Sequence, residues 1–410
     1  MTLCVWRAYV QPSWRSTVIN YAEKSYGRNR EVDEIYRLFD AGRDVAMPGP
    51  RRLGKTFLLD RLVDAAEGRG FNAIKIEVAG CNDTRAVFRE LCSKLGGKRS
   101  GGKRVLDWVK QRLGQVFSPR SDQEGPWYLP FLNLDHETHF ERLLKAMHDD
   151  QDGQWVLLID ELPIFLKALH DKGPHGLVDA RNFMNWTSRV RTGYPRVRWM
   201  ITGSIGIEPL AREGEYMGVL AKYQAYELHP LTIDEAIEFV KDLAADGQLP
   251  HRRVISNSEA RAIAAAVGWL APYYLDALAQ KLSGSPTDDP LRAAELIEDA
   301  AARLLEPSQA ATFGTWEEHL RKHYKDPDRG IAFSALAVLA ENPQGVRVDT
   351  LLATIGRADL TREALRSLLV RLHTEGFLTV ANWNGDLPTA AFRNPLLRRW
   401  WRCYPPQPSA

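Results

Sequence analysis

The stretch that most constrains the fold is GPRRLGKT, residues 49–56, which fits G-x-x-x-x-G-K-[ST] at every fixed position. Glycines in such a loop let backbone N–H groups converge on phosphate oxygens, where a side chain would block the approach. DVAMPGP before the loop indicates a short strand that runs into it, and residues 57–68 have apolar positions at helical spacing. The pattern therefore predicts a phosphate-binding loop between a strand and a helix.

The positions of this loop carry separate expectations. Lys55 is expected to bring a positive charge to the β and γ phosphates of ATP, and Thr56 is expected to offer a hydroxyl to Mg²⁺. The whole expected phosphate cradle is Gly49, Pro50, Arg51, Arg52, Leu53, Gly54, Lys55, Thr56 and Phe57. The pattern assigns no chemistry to Arg51 and Arg52.

A second motif, VLLIDE, supplies the other half of a phosphoryl-transfer site. Its apolar run is typical of a central parallel strand and ends in Asp160 and Glu161. Asp160 is expected to hold Mg²⁺, and Glu161 is expected to act as the general base on the attacking water. A glutamate beside the metal aspartate favours hydrolysis over a kinase reaction, because a kinase must exclude water.

A third strand, VRWMITGS, ends in Thr202, Gly203 and Ser204. Parallel strands present their carboxyl ends to a ligand, so a hydroxyl there is expected to sense the γ-phosphate or to orient water. A plain turn at the strand end is the alternative interpretation. The pattern does not decide between Thr202 and Ser204.

Strands that alternate with helices predict an α/β fold with a doubly wound parallel sheet. After residue 228 the pattern is helical, and from about 330 three helices precede a hairpin, which is the order of a winged helix. The predicted parts are an N-terminal segment (1–20), a P-loop core (21–228) with an insertion at about 96–135, an all-α lid (229–325) and a winged-helix domain (326–410).

Composition excludes several classes. The net charge of +2 argues against a protein coated for bulk nucleic-acid binding. The four cysteines, Cys4, Cys81, Cys92 and Cys403, lie far apart, which indicates reduced thiols in a cytoplasmic protein. We expect no transmembrane span and no signal peptide, since the sequence has no apolar run long enough for either.

The sequence resembles the archaeal and bacterial P-loop ATPases of the AAA+/STAND group, which are relatives of Orc/Cdc6-type initiators. The stretches that carry the resemblance are YGRNREVDEI, GPRRLGKTFLL, VLLIDEL, MITGSIG, YELHPLTIDEAIEFV, GWLAPYYL and FRNPLLRRWW. They extend from about residue 26 to residue 402 and keep their order throughout. The resemblance implies an ASCE-type core with a lid and a winged helix.

The resemblance also implies roles for residues outside the loop. Tyr26, Gly27 and Arg28 match a box that lies near the adenine, and Pro272 matches the lid proline that packs on the base. The usual G-x-P of that lid motif is stretched here to Gly268-x-x-x-Pro272. Thr202 and Ser204 both cover the sensor-1 position. Two arginines, Arg191 and Arg212, are candidates for a finger acting in trans, with a solvated arginine as the alternative for each.

The leading hypothesis is an ATPase that uses hydrolysis to drive a conformational switch. One alternative is an ATP-dependent DNA-binding regulator or initiator-like protein that uses its winged helix. In that case Arg362, Arg366 and His373 would lie on the helix that enters the DNA groove. Another alternative is a signalling or defence ATPase that acts through a protein partner. The sequence does not specify whether the chain forms a homo-oligomer.

Overall fold

The computed structural model describes residues 21–96, 136–383 and 388–406. Contacts divide them into two compact units. We call residues 30–229 and 326–393 the sheet unit, and residues 21–29, 230–325 and 394–406 the helical unit. The predicted N-terminal segment 1–20 and nearly all of the predicted insertion lie outside the described residues.

The sheet unit contains both sheets of the described chain. In chain order the strands are β1 (Val45–Pro48), β2 (Phe71–Glu77), β3 (Gln154–Asp160), β4 (Val197–Gly203), β5 (Gln224–Ala225), β6 (Val346–Arg347), β7 (Leu378–Ala381) and β8 (Thr389–Phe392). Five of them form a parallel sheet in the order β2-β3-β4-β1-β5. The other three form an antiparallel sheet in the order β6-β8-β7. The predicted α/β fold with a parallel core is confirmed.

Helices connect these strands. In chain order they are α1 (Asn29–Asp40), α2 (Lys55–Ala66), α3 (Thr84–Gly96), α4 (His136–Asp149), α5 (Leu162–His170), α6 (Pro174–Gly193), α7 (Ile207–Glu213), α8 (Met217–Leu220), α9 (Ile233–Ala245), α10 (Asn257–Val267), α11 (Pro272–Ala279), α12 (Pro290–Leu304), α13 (Ala310–His323), α14 (Asp328–Glu341), α15 (Val348–Ile355), α16 (Arg362–Glu375) and α17 (Pro395–Cys403). Within the described ranges, no helix is both long and apolar enough to cross a membrane.

The register of the parallel sheet brings three strand ends to one edge. Pro48 of β1 lies opposite Gly203 of β4, and Ile159 of β3 lies opposite Ile201 of β4. All but the first residue of β3 are buried, as expected for a strand covered by helices on both faces. Because β4 lies between β1 and β3, its carboxyl end separates the loop after β1 from Asp160 at the end of β3.

The described part of the helical unit holds α9 to α13 and α17. Thr232 and Glu235, spaced as T-x-x-E in the sequence, form a capping box at the start of α9. In α17 the Trp400 ring stacks on Phe313 with centroids 5.5 Å apart, and Trp401 is buried. Both tryptophans of the stretch FRNPLLRRWW therefore pack inside the helical unit.

Residues 326–393 of the sheet unit, here called the C-terminal module, contain α14, α15, α16 and the antiparallel sheet. Three helices and a paired hairpin occur in the expected order. The turn of the predicted hairpin, residues 384–386, lies outside the described residues. The two units reflect packing alone, so the division into core, lid and winged-helix domain remains a prediction.

Candidate functional site

The loop of residues 49–54 leaves β1 and turns directly into α2. Gly54, which precedes the helix, has φ +94°, and Arg52 has φ +69°. Glycine adopts this left-handed conformation without strain, which explains the residue at position 54. The Gly49 amide donates a hydrogen bond to the Gly203 carbonyl at 3.1 Å. The loop is thereby attached to the end of β4.

Lys55 places its ammonium inside this loop. Its Nζ donates to the carbonyl oxygens of Gly49 and Pro50, both at 2.7 Å. Burial lowers the pKa of Lys55 to about 8, although the nearby carboxylates of Glu161 and Asp160 act to raise it. The loop therefore surrounds a buried amine whose charge an anion would stabilise.

Asp160 is held by two hydroxyl groups. Its Oδ2 accepts a hydrogen bond from Thr56 Oγ1 at 2.8 Å, and its Oδ1 accepts one from Thr202 Oγ1. A carboxylate and a hydroxyl are hard oxygen donors, which fit Mg²⁺. Among the described residues no group of three or more His, Cys, Asp and Glu side chains could hold a metal. This donor set therefore fits an ion that completes its shell with phosphate oxygens and water.

Glu161 leaves the strand direction at the end of β3. Its φ of +58° is uncommon for a residue with a side chain, and such outliers concentrate at functional sites. Its Oε2 accepts hydrogen bonds from Ser204 N and Ser204 Oγ, both at 2.9 Å. The structure thus brings the two adjacent carboxylates, the loop and the end of β4 together at one edge of the sheet.

The residues expected near the adenine belong to the helical unit. Tyr26 is buried, and its hydroxyl donates to Asp242 Oδ2 of α9 at 3.0 Å. Burial beside Asp242 raises the pKa of Tyr26. Pro272 occupies the first turn of α11. Contact of Tyr26, Gly27, Arg28 and Pro272 with a base remains a prediction.

Sequence reasoning missed Lys75 of β2. Its Nζ donates to Asp60 Oδ1 at 2.6 Å and to the carbonyl oxygen of Thr56 at 3.3 Å. Lys75 therefore supports the first turns of α2, where Thr56 lies. A single lysine in the alternating stretch NAIKIEVAG, residues 72–80, is no signal for this contact in the sequence.

The C-terminal module contacts the loop of residues 49–54, and the sequence did not indicate this contact either. Gly376, which ends α16, has φ +94°. A Cβ added to Gly376 would lie 2.5 Å from Pro50 Cβ, closer than such atoms can approach. A helix followed by glycine is a common C-cap pattern, so only the fold reveals that this glycine also makes room for the loop.

We expect Gly376→Ala to lose about 1–2 kcal/mol from the left-handed backbone and about 1–3 kcal/mol more from the clash with Pro50. The matched control is Gly356→Ala at the end of α15, where φ is +65° and the nearest atom to an added Cβ is 3.8 Å away. Urea unfolding of both variants measures the difference. Equal losses would contradict a tight contact between Gly376 and the loop.

Arg191 is buried, which corrects its interpretation as a trans-acting finger or a solvated arginine. Its Nε donates to Asp44 Oδ2 at 2.6 Å, and its guanidinium lies 3.7 Å from the centre of the Tyr223 ring. Asp44 also accepts from the Trp199 amide at 2.8 Å. Arg191 therefore joins α6 to β4 and the chain before β1. Arg212 is exposed on α7.

Arg191→Ala is expected to destabilise the protein by about 3–5 kcal/mol, because the buried carboxylate of Asp44 would lose its cationic partner and keep only the Trp199 amide. Arg212→Ala, on the surface, should change stability by less than about 0.5 kcal/mol. Chemical denaturation of the two variants gives the comparison. A stable Arg191→Ala protein with impaired turnover would restore the finger interpretation.

The arginines expected to contact DNA make contacts inside the C-terminal module. Arg362 Nε lies 2.7 Å from Asp349 Oδ1, and Arg366 donates to the Trp383 carbonyl at 3.1 Å. Burial and the nearby Arg393 lower the pKa of His373. Arg362 is thus paired with a carboxylate, and Arg366 with a backbone carbonyl, of the same module.

Known structures share this fold. The Walker-type ATPase PABY2304 of Pyrococcus abyssi matches with a TM-score of 0.61 at 16% identity, over 92% of this chain and 95% of that one. The ORC2 protein of Aeropyrum pernix, solved with ADPNP and ADP, matches with a TM-score of 0.52 at 14% identity over 91% of each chain. No protein-family model and no curated protein matches the chain. The chain therefore shares its fold with a Walker-type ATPase and with an ORC2 protein, which agrees with the fold that the resemblance implied.

Proposed function

We propose that this chain, which has the fold of Orc/Cdc6-type AAA+ ATPases, binds ATP with Mg²⁺ at residues 49–56 and hydrolyses it to drive a conformational switch. One observation carries the proposal: a buried amine, a hydroxyl and two carboxylates converge where β1, β3 and β4 end. They belong to Lys55, Thr56, Asp160 and Glu161. This is the set of groups that hydrolysis of a phosphoanhydride requires.

In the proposed reaction Lys55 and the loop amides bind and orient the phosphates. Thr56 and Asp160 would hold Mg²⁺, which when bound neutralises charge on the β and γ phosphates. Glu161 accepts a proton from the attacking water as the new bond to the γ-phosphorus forms. The bond from that phosphorus to the β–γ bridging oxygen breaks, and ADP and phosphate leave.

Adenine contact by Tyr26, Gly27, Arg28 and Pro272 is part of the proposal and is supported by the sequence resemblance. The same support underlies the proposed change of conformation in residues 229–325. Kinship with STAND ATPases in particular is likewise supported by the sequence alone.

The test is to measure the melting temperature and phosphate release with Mg·ATP, with ATP plus EDTA, and with Mg·ADP. We expect both nucleotides to raise the melting temperature, and we expect phosphate release that EDTA abolishes. Stabilisation by ATP without any release would overturn the hydrolysis part of the proposal. No stabilisation at millimolar nucleotide would overturn the binding part.

DNA binding by the C-terminal module is a second candidate, favoured by its three helices and hairpin. Fluorescence anisotropy with duplex DNA at two salt concentrations tests it, since phosphate contacts make affinity fall steeply with salt.

A protein partner and a homo-oligomer are further proposals. Light scattering in each nucleotide state, with and without DNA, distinguishes these cases.

A further inference from the structure

Two hydroxyl groups at the end of β4 contact different carboxylates. Thr202 Oγ1 donates to Asp160 Oδ1, whereas Ser204 donates from N and Oγ to Glu161 Oε2 at 2.9 Å each. Thr202 is 1% exposed and Ser204 is 5% exposed. Both hydroxyl residues are buried, and each contacts a different carboxylate.

The position of Gly203 between Thr202 and Ser204 has a structural reason. Thr202 lies in β4 and Ser204 directly follows the last residue of the strand, Gly203, so the two hydroxyls stand at the same strand end with one glycine between them. A Cβ added to Gly203 would lie 2.4 Å from Pro163 Cδ of α5. The glycine therefore lets the first turn of α5 approach β4.

Strand geometry shows what the unusual backbone of Glu161 does. On a regular strand, Asp160 and Glu161 would point to opposite faces. The left-handed conformation of Glu161, with φ +58° and ψ +35°, ends the strand and redirects its side chain. Both carboxylates thereby reach hydroxyls at the end of one neighbouring strand, β4. Residues 160–161 and 202–204 are thus matched pair by pair.

We propose that Thr202 and Ser204 are positioning residues with separate tasks. Thr202 fixes the orientation of the Asp160 carboxylate, so that Oδ2 stays beside Thr56 Oγ1 and ready for Mg²⁺. Ser204 fixes the Glu161 carboxylate and leaves Oε1 to accept the water proton. This inference rests on the proposed function, and it resolves which hydroxyl serves which half of the site.

The first test measures Mg²⁺ affinity without turnover, from the Mg²⁺ dependence of ATP binding by calorimetry. Loss of a group that orients a metal ligand commonly weakens metal affinity by about 10–100-fold. We expect Thr202→Val to weaken Mg²⁺ binding within that range and Thr202→Ser to restore it. Ser204→Ala should leave Mg²⁺ affinity within about twofold of the wild type, which is a smaller change than the tenfold or larger loss expected for Thr202→Val.

The second test is a double-mutant cycle on kcat with Glu161→Gln. If Ser204 acts through Glu161, Ser204→Ala lowers kcat in the wild type but has little further effect in the Glu161→Gln background. Thr202→Val should lower kcat by the same factor in both backgrounds when Mg²⁺ is limiting. Ser204→Thr, which keeps the hydroxyl, is expected to restore kcat. A structural defect would not produce this crossed pattern.

Several outcomes would overturn the inference. Equal effects of Thr202→Val and Ser204→Ala on Mg²⁺ affinity would show that the tasks are not separate. Additive effects of Ser204→Ala and Glu161→Gln on kcat would show that Ser204 acts on the ligand itself. If the wild type binds Mg·ATP but does not hydrolyse it, the proposed function fails, while the calorimetric test of Thr202 still gives an answer.

Discussion

Glu161→Gln is expected to lower ATP turnover by about 10²–10⁴-fold, the usual contribution of a positioned general base. The substitution keeps the size of the side chain and an oxygen that can accept from Ser204, but the amide cannot take a proton from water. Affinity for ATP should stay within about twofold of the wild type, because Lys55 and Thr56 are unchanged. Single-turnover phosphate release and equilibrium binding separate the two effects.

The control is Glu208→Gln, which makes the same change in charge on an exposed side chain of α7. Its turnover should match the wild type. Wild-type turnover in Glu161→Gln would show that Glu161 is not the general base. Its contact with Ser204 would then serve only to stabilise the fold. A loss of ATP binding in that variant would place Glu161 in the binding site instead.

Lys55→Ala is expected to weaken ATP binding by at least about 100-fold. Hydrogen bonds to charged groups contribute about 1.5–3 kcal/mol each, and the ammonium lies inside the loop beside Gly49 and Pro50. ATP at 100 times the wild-type Kd stabilises the folded protein by about 2.7 kcal/mol. A site that binds at least about 100-fold more weakly loses most of this free energy, so the variant should lose the nucleotide-dependent rise in melting temperature. Lys222→Ala, at a lysine that contacts Ser188, is the control and should bind ATP normally.

The pKa of Lys55 makes the affinity for ATP depend on pH. Burial lowers this pKa to about 8 in the free protein, and a bound anion would raise it, so ATP binding takes up a proton near that pH. Affinity is therefore expected to fall as the pH rises from 7 through 8 to 9. Calorimetry in buffers of different ionisation enthalpy measures the proton uptake. A pH-independent Kd that persists over this range would contradict the assignment.

The stability of the free protein changes with pH in the opposite direction to its affinity for ATP. The folded pKa of Lys55 lies below that of the unfolded chain, so the unfolded state binds more protons between the two values. The contribution of Lys55 to the stability of the free protein therefore rises with pH from about 8 to about 10.4. Burial of the ammonium thus costs stability at neutral pH, a cost that a bound phosphate would offset.

The sequence predicted the parts of the site whose chemistry requires fixed spacing. Positions 49–56 follow one rule along the chain, and an apolar run that ends in two acids indicated both the strand and its carboxylates. The capping box at Thr232 is a similarly local pattern. In each case the residues that form the pattern are close in sequence.

The remaining features depend on register and packing between distant segments. The assignment of Thr202 to Asp160 and of Ser204 to Glu161 follows from how β3 and β4 align. Arg191 pairs with Asp44, 147 residues away, so its spacing carried no signal of burial. Such partners are found only when the strand order is known.

The chain passes between the sheet unit and the helical unit four times, at residues 29/30, 229/230, 325/326 and 393/394. Neither unit is one continuous stretch, so neither is finished when the segment that begins it has been synthesised. The loop at Pro50 meets its neighbour Gly376 only after 326 further residues have left the ribosome. A nascent chain therefore carries the loop without its contact to Gly376 until that residue has been synthesised.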